Sequence, residues 1–226
     1  MQKIYYYFCM DKLEAFKSLN KVFKDNGYSL FLVGGTVRDY LLGLPLIDFD
    51  VVTNAKPEEM KLFLKDADYT FSKFGSVKYH YLDKKFDITT LRKEKEYGDS
   101  RHPNIIVFCS SLEEDSKRRD FTINALYMDE NERVIDFYNG EYDLKNHIIR
   151  MIGDPDIRIK EDPLRIIRAI RFKITLDFEI EESLLESIKR NKELLKNINK
   201  EKIEQDIKKC SNPNKLREYL NELEIL

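Results

Sequence analysis

The sequence predicts an α/β or α+β head followed by an all-helical second domain, and three observations carry that prediction. Strand-like and helix-like runs alternate over roughly the first 145 residues, whereas from about residue 147 the periodic segments all have helical spacing. Glycine and proline are sparse, at 8 and 6 among 226 residues, which leaves little room for a long linker. At about 150 residues per domain the length accommodates one large domain or two small ones. The expected division is 1–146 and 147–226.

The elements follow in order. In "DKLEAFKSLNKVFKDNG", Leu13, Phe16, Leu19, Val22 and Phe23 recur at helical spacing, with Asp11 as the N-cap and Gly27 as the stop. "YSLFLV" reads as a strand, "TVRDYLLG" as a short helix bounded by Gly43, and "LIDFDVVT" as the next strand. "KPEEMKLFLKDA" is helical, with Pro57 in its first turn. "VKYHYL", "KFDITTL", "NIIVFCS" and "ERVIDFY" collect or alternate β-formers. Beyond them come four helical patterns and no convincing strand: "DPLRIIRAIRFKI", "EESLLESIKRNKELLKNI", "KEKIEQDIKKCS" and "PNKLREYLNELEIL".

Composition narrows the function classes. Hydrophobic residues at 42% and aromatics at 12% suffice for a packed core, and 35% charged residues suit a helix-rich surface. A formal net charge of −2 excludes a globally basic nucleic-acid binder, so any such contact must come from a local patch. Cys9, Cys109 and Cys210 lack paired spacing, which argues against a zinc site or a disulfide framework and for reduced thiols. "MQKIYYYFCMDKLEAF" is neither a secretory signal nor a membrane span. A cytoplasmic protein with no membrane contact is expected, and no segment points to a protein partner.

Two features carry chemistry. On a strand Asp48 and Asp50 face the same way while Phe49 points into the core. Neighbouring carboxylates repel unless a cation sits between them, and Mg2+ suits such hard oxygen ligands. On these residues alone, one aspartate capping a turn and the other solvated at a strand end serves equally well. Gly34 and Gly35 follow a strand and open a helix, with Thr36 as its N-cap; backbone N–H groups and Arg38 there would meet an anion. A tight turn explains the glycines equally well. The spacing is neither that of a Walker A loop nor that of a dinucleotide fingerprint.

The whole stretch "GGTVRDYLLGLPLIDFD" (34–50) resembles the signature of the class II tRNA nucleotidyltransferase and bacterial poly(A) polymerase family, within the DNA polymerase beta superfamily. Further motifs follow in the family's order. "LRKEKEYGDSRHP" (91–103) is similar to its flexible loop, "RRDFTINAL" (118–126) to its ribose-contacting motif, and "DFYNGEYDLKNHIIR" (136–150) to its head-to-neck connector. "EDPLRIIRAIRF" (161–172) is similar to its base-selecting helix.

The resemblance implies a nucleotidyltransferase head with a mixed sheet, residues 1–146, and a helical neck and partial body, residues 147–226. It implies template-independent transfer of CMP and AMP from CTP and ATP to the 3′ end of tRNA, with release of pyrophosphate. Asp48 and Asp50 would be the catalytic, metal-binding pair, holding Mg2+. Gly35, Arg38, Arg119, Asp162, Arg165, Arg168 and Arg171 would bind the nucleotide, with Asp162 and Arg165 reading the base. Asp120 and Asn124 would order their motif or contact the sugar, and Glu161 would orient an arginine.

Other readings stay beside these. Asp87, in "KFDITT", is either a third catalytic carboxylate or a strand-edge aspartate bonded to nearby backbone. By itself "EDPLRIIRAIRF" is an amphipathic helix with a solvated basic face. Residues 189–217 hold ten basic and four acidic residues, a balance of +6, which fits either a phosphate-tracking surface or an ordinary lysine-rich exterior. The family usually continues past this point, so the chain is expected to be shortened at its C-terminus. Within the family, addition of A alone and poly(A) synthesis compete with CCA addition; the loop at 91–103 argues against an enzyme adding only CC. A non-catalytic nucleotide- or RNA-binding homologue would have lost Asp48, Asp50, Asp162 or Arg165, and all four are present.

Overall fold

The computed structural model describes residues 2–46, 49–97 and 103–225. They form two compact units. The first takes Met1–Lys95, Ile105–Arg118 and Asn124–Phe137; the second takes Glu96–Asn104, Arg119–Ile123 and Tyr138–Leu226.

The first unit is built on a six-stranded sheet. Its strands are β1 (Leu30–Val33), β2 (Phe49–Thr53), β3 (Ser76–Tyr81), β4 (Lys84–Thr90), β7 (Leu126–Met128) and β8 (Val134–Asp136), in the order β3-β4-β2-β1-β7-β8. Neighbours are antiparallel except β2 and β4, which run parallel. Helix α1 (Gln2–Asp25) lies against β1 and buries Leu13, Phe16, Leu19 and Phe23 at helical spacing, with Phe23 edge-on to Phe63. Gly27, at φ +83°, closes the helix as the sequence predicts. Asp11 does not cap it; the helix already begins at Gln2.

Alternation along the central strands sorts the two faces. Phe49 and Phe86 pair across β2 and β4 in the core, their ring centroids 5.3 Å apart, while Asp50 is exposed. Farther along, Val33, Val52, Leu91 and Tyr127 form a buried cluster extended by Phe31, Leu112 and Ile135. Two short helices flank the sheet, α2 (Gly35–Leu41) and α3 (Pro57–Met60). The helical spacing of 56–67 predicts a longer α3, but the helix ends at Met60 and turns follow it to Leu64, ahead of the two-way backbone bridge of Asp68 with Lys78 on β3. Strands β5 (Arg92–Tyr97) and β6 (Pro103–Phe108) pair with each other. The segment expected to be a flexible loop, 91–103, instead includes β5 and the first residue of β6, and its residues 98–102 lie outside the described residues. Helix α4 (Leu112–Ser116) is capped by the Ser111 hydroxyl.

The second unit is helical: α5 (Gly140–Lys145), α6 (Pro155–Glu161), α7 (Leu164–Leu176), α8 (Glu182–Asn191), α9 (Lys200–Lys208) and α10 (Pro213–Glu222). Besides an isolated bridge between Phe121 and Met151, it departs from the all-helical expectation in one strand pair. The two-residue strands β9 (Ile148–Ile149) and β10 (Glu179–Ile180) pair in parallel, too short to be legible as strands. Side-chain caps start the helices, with Asp154 accepting from Ile157, Asn199 from Glu201 and Asn212 from Lys215. Ile159, Leu164, Ile166, Ile167, Ile170 and Leu184 are among its core side chains.

Candidate active site

The chain leaves β1 at Val33 and turns into α2 through Gly34, whose φ of +65° and ψ of −127° lie where a Cβ is not tolerated. Gly34 is pinned there, its N–H donating to the Leu126 carbonyl at 3.0 Å. Gly35 is different, because a Cβ at that position would meet Arg38 Nη2 at 3.5 Å, an ordinary contact. Among the described residues nothing requires Gly35 to be glycine; close approach of a ligand would.

Thr36 is not the N-cap expected from sequence. It lies inside the first turn, buried, and its hydroxyl accepts the backbone N–H of Asp50 at 2.9 Å. That bond ties the start of α2 to the carboxylate-bearing end of β2. Arg38 is held on two sides. Its Nε and Nη2 meet Asp39 Oδ1 at 2.8 and 2.7 Å, and its Nη1 donates to Asn124 Oδ1 at 2.6 Å. Only 11% of its side chain is exposed, so the guanidinium is fixed rather than mobile. Asn124, from "RRDFTINAL", thus orders Arg38.

Asp48 lies outside the described residues. Asp50 is exposed on β2, and the parallel register sets Asp87 of β4 directly opposite it. In-register neighbours of a sheet share a face, so the two carboxylates stand on the same side. Asp87 also has Lys78 Nζ at 4.0 Å, a loose, half-exposed ion pair. Exposed carboxylates side by side fit a hard divalent cation. Among the described residues alone, no group of three or more metal-binding side chains gathers.

In the second unit the arginines of α7 form no solvated ridge. Arg165 is buried, at 4% exposure. Arg168 reaches Asp120 Oδ2 at 2.5 Å, and Arg171 Nη1 lies 3.6 Å from Asp206 Oδ1. Each of the three therefore faces a carboxylate, Arg165 and Arg171 as buried guanidinium groups that need a counter-charge and Arg168, 36% exposed, as the partner of the buried Asp120. Arg165 Nη1 donates to Glu161 Oε2 at 2.9 Å and to the Arg158 carbonyl at 2.5 Å, so Glu161 does orient an arginine. Burial pushes the Asp120 carboxyl upward, but the Arg168 guanidinium, the Phe121 N–H and then Arg165 outweigh it, leaving it below its ordinary value.

Pro163 shapes the remaining corner. The residue before a proline avoids helical backbone, and Asp162 sits at φ −146°, ψ 97°, which ends α6 and lets α7 begin. Asp162 then serves the new helix, its Oδ1 accepting from Leu164 N–H at 3.1 Å and its carbonyl from Arg165 N–H at 3.0 Å. Asp162 and Arg165 are thereby joined through one helical turn. The carbonyl of Arg119 accepts from Arg158 Nη2 at 2.9 Å. Arg158 carries no motif signature and was invisible to sequence reasoning.

The basic stretch 189–217 is largely matched within its own unit. Lys189, Arg190, Lys192, Lys196, Lys209 and Arg217 each pair with a carboxylate, while Lys200, Lys202, Lys208 and Lys215 make no ion pair among the described residues. No described helix is long and apolar enough to cross a membrane.

Comparison with known proteins agrees with this geometry. The model of the poly A polymerase head domain matches residues 30–150. The CCA-adding enzyme of Lactobacillus helveticus (strain DPC 4571) is 48% identical over 187 residues, 82% of this chain and 47% of that protein. That of Ligilactobacillus salivarius (strain UCC118) is 46% identical over 84% of this chain and 47% of its own length. Among solved structures, the Bacillus stearothermophilus CCA-adding enzyme in complex with CTP superposes with a TM-score of 0.79 at 34% identity, covering 86% of this chain and 47% of that one. The Thermotoga maritima CCA-adding enzyme complexed with tRNA_CCA gives 0.72 at 28% identity, over 93% and 50%. The chain spans about half the length of the curated relatives it matches. It therefore belongs to the poly A polymerase head domain family and is a relative of the CCA-adding enzymes.

Proposed function

We propose that this chain carries the catalytic part of a tRNA nucleotidyltransferase, which adds CMP and AMP from CTP and ATP to a tRNA 3′ end and releases pyrophosphate. One observation carries the reading: the Thr36 hydroxyl binds the start of α2, with its fixed Arg38, to the strand that presents Asp50. An anion site and a carboxylate site held a fixed distance apart are what a triphosphate and its metal require. The CTP and tRNA complexes of the relatives support the same substrates.

The residues divide the work. Gly35 and Arg38 receive phosphate, and Arg119, Arg168 and Arg171 complete the nucleotide contacts. Asp48 and Asp50 would hold Mg2+, which when bound supplies activation of the RNA 3′-hydroxyl and neutralises the charge developing on pyrophosphate. The reaction needs no covalent nucleophile, so positioning and electrostatics dominate.

Base choice falls to Asp162 and Arg165. Cytosine and adenine offer an exocyclic amino donor beside a ring-nitrogen acceptor, which a carboxylate and a guanidinium match. Uracil and guanine reverse that pattern and leave both groups mispaired, at a cost of about 1–3 kcal/mol for each buried group left unsatisfied. The buried, doubly held Arg165 suits this task, because a fixed donor discriminates where a mobile one adapts. Residues 1–146 would then be the catalytic head and 147–226 the base-selecting and RNA-binding part. A cytoplasmic protein fits the cysteine spacing, which lacks pairs, and these substrates.

The test uses tRNA transcripts ending before CCA, after C, or after CC, incubated with Mg2+ and labelled CTP or ATP, with UTP and GTP as controls. Two C additions followed by one A, then arrest, is the expected product. Addition only to the transcript ending in CC would make it an A-adding enzyme, and a long A ladder a poly(A) polymerase. Binding of nucleotide with no product on any transcript would overturn the catalytic reading.

A further inference from the structure

We propose that Arg158 is a positioning residue for base selection, an inference that rests on the base-reading role given to Arg165. Arg158 sits on α6 with 11% of its side chain exposed, and it acts on Arg165 by two routes. Its carbonyl accepts directly from Arg165 Nη1 at 2.5 Å. Its own Nη1 donates at 2.6 Å to Glu161 Oε2, the same oxygen that receives Arg165 Nη1 at 2.9 Å. Its Nη2 is anchored on the Arg119 carbonyl at 2.9 Å.

The consequence is geometric. An Nη1 group carries two hydrogens, and the Glu161 carboxylate and the Arg158 carbonyl take both. Rotation of the Arg165 guanidinium is therefore blocked, and its plane is set by where Glu161 is held. Glu161 in turn is shared by two guanidinium groups, each tied to a backbone carbonyl, Arg158 to that of Arg119 and Arg165 to that of Arg158. Recognition of a base edge tolerates errors of only about 0.5 Å and 10–20°. Replacing the Arg158 side chain leaves its carbonyl in place, so Arg165 stays attached while Glu161 gains freedom. Discrimination between bases should suffer, while contacts to the phosphates should not.

The experiment measures equilibrium binding of CTP, ATP, UTP, GTP and inorganic tripolyphosphate to the wild-type chain, Arg158→Ala, Arg158→Lys and Arg165→Ala, with thermal unfolding alongside. Arg158→Ala should lose about tenfold of the preference for CTP over UTP, the scale of one charge-assisted hydrogen bond, with tripolyphosphate binding unchanged. Arg158→Lys should recover part of it, because one ammonium can reach Glu161 or the Arg119 carbonyl but not both forks. An unchanged preference in either variant, or an equal loss for all four nucleotides and tripolyphosphate, would overturn the inference and leave Arg158 a staple of the fold. If Arg158→Ala does not fold, Arg158→Lys decides, with about a threefold loss expected. A wild-type chain without preference, or an Arg165→Ala variant that keeps it, would instead overturn the base-reading role itself.

Discussion

Asn124 offers a sharp test of the phosphate role of Arg38, because two substitutions at this one position should separate stability from binding. Its carboxamide oxygen accepts from Arg38 Nη1 at 2.6 Å, while Asp39 keeps the Nε and Nη2 groups. Asn124→Ala deprives a guanidinium that is only 11% exposed of one acceptor. A lost hydrogen bond to a charged group costs about 1.5–2.5 kcal/mol, and that is the expected loss of stability. Asn124→Asp keeps an acceptor for a bond that the guanidinium already makes charge-assisted, so stability should stay within about 0.5 kcal/mol of wild type. The new carboxylate would stand about 7 Å from a phosphate bound on the far side of Arg38; at an effective dielectric constant of ~20 the repulsion is roughly 2 kcal/mol. Solvent screening trims this to on the order of a tenfold loss of CTP affinity. Urea denaturation gives the stability, and CTP and tripolyphosphate titrations at low and physiological salt give the affinity. Wild-type CTP affinity in Asn124→Asp would refute the placement of phosphate at Arg38. Unchanged stability in Asn124→Ala would refute the idea that this bond holds the guanidinium.

Further expectations concern the turn, the metal and the acid limb. Gly34→Ala forces a Cβ into φ +65°, ψ −127° and should cost about 2 kcal/mol or more in chemical denaturation, whereas Gly35→Ala should leave stability within about 0.5 kcal/mol and weaken tripolyphosphate binding; equal effects at both would sink the distinction. Asp50→Ala should abolish Mg2+-dependent incorporation at unchanged melting temperature, since its N–H bond to Thr36 is main-chain and survives; residual incorporation near the wild-type rate would exclude Asp50 as a metal ligand. Asp120→Asn should lower stability at pH 7 by about 2–3 kcal/mol, because Arg168 loses its buried counter-charge. The folded carboxyl titrates below its ordinary value of 3.8, so its contribution is complete above that value and fades as pH falls through the lower folded one. The gap between wild type and Asp120→Asn should accordingly close only below about pH 4 in acid titrations, and a gap already closed at pH 6 would contradict the ion pair.

Much of the molecule was legible because its signals are local. The periodicity of α1, the strand at 84–90 and the helix α7 follow from spacing. What was hidden depends on partners far away in sequence. The β3–β4 hairpin turns through Leu82 and Asp83, both at positive φ, where Asn-Gly would have announced the turn. The bridge from Asp68 to Lys78 that follows α3 is a long-range pairing, which no helical periodicity reports. The arginines of α7 looked like a wet face because their counter-charges, Asp120, Glu161 and Asp206, all lie outside that helix. Asp48 and Asp50 were readable as a pair, yet the facing Asp87 required the strand register.

The Thr36–Asp50 bond has a consequence for how such a chain can change. Sequence distance between the start of α2 and the end of β2 that bears the carboxylate does not set their spacing; a single side-chain-to-backbone link does. The stretch just after α2, around Gly43 and Leu44, can therefore gain or lose residues at the surface while the two chemical ends keep their separation. Drift in that stretch is cheap, whereas exchange of Thr36 for valine, nearly the same in shape, would disconnect the ruler.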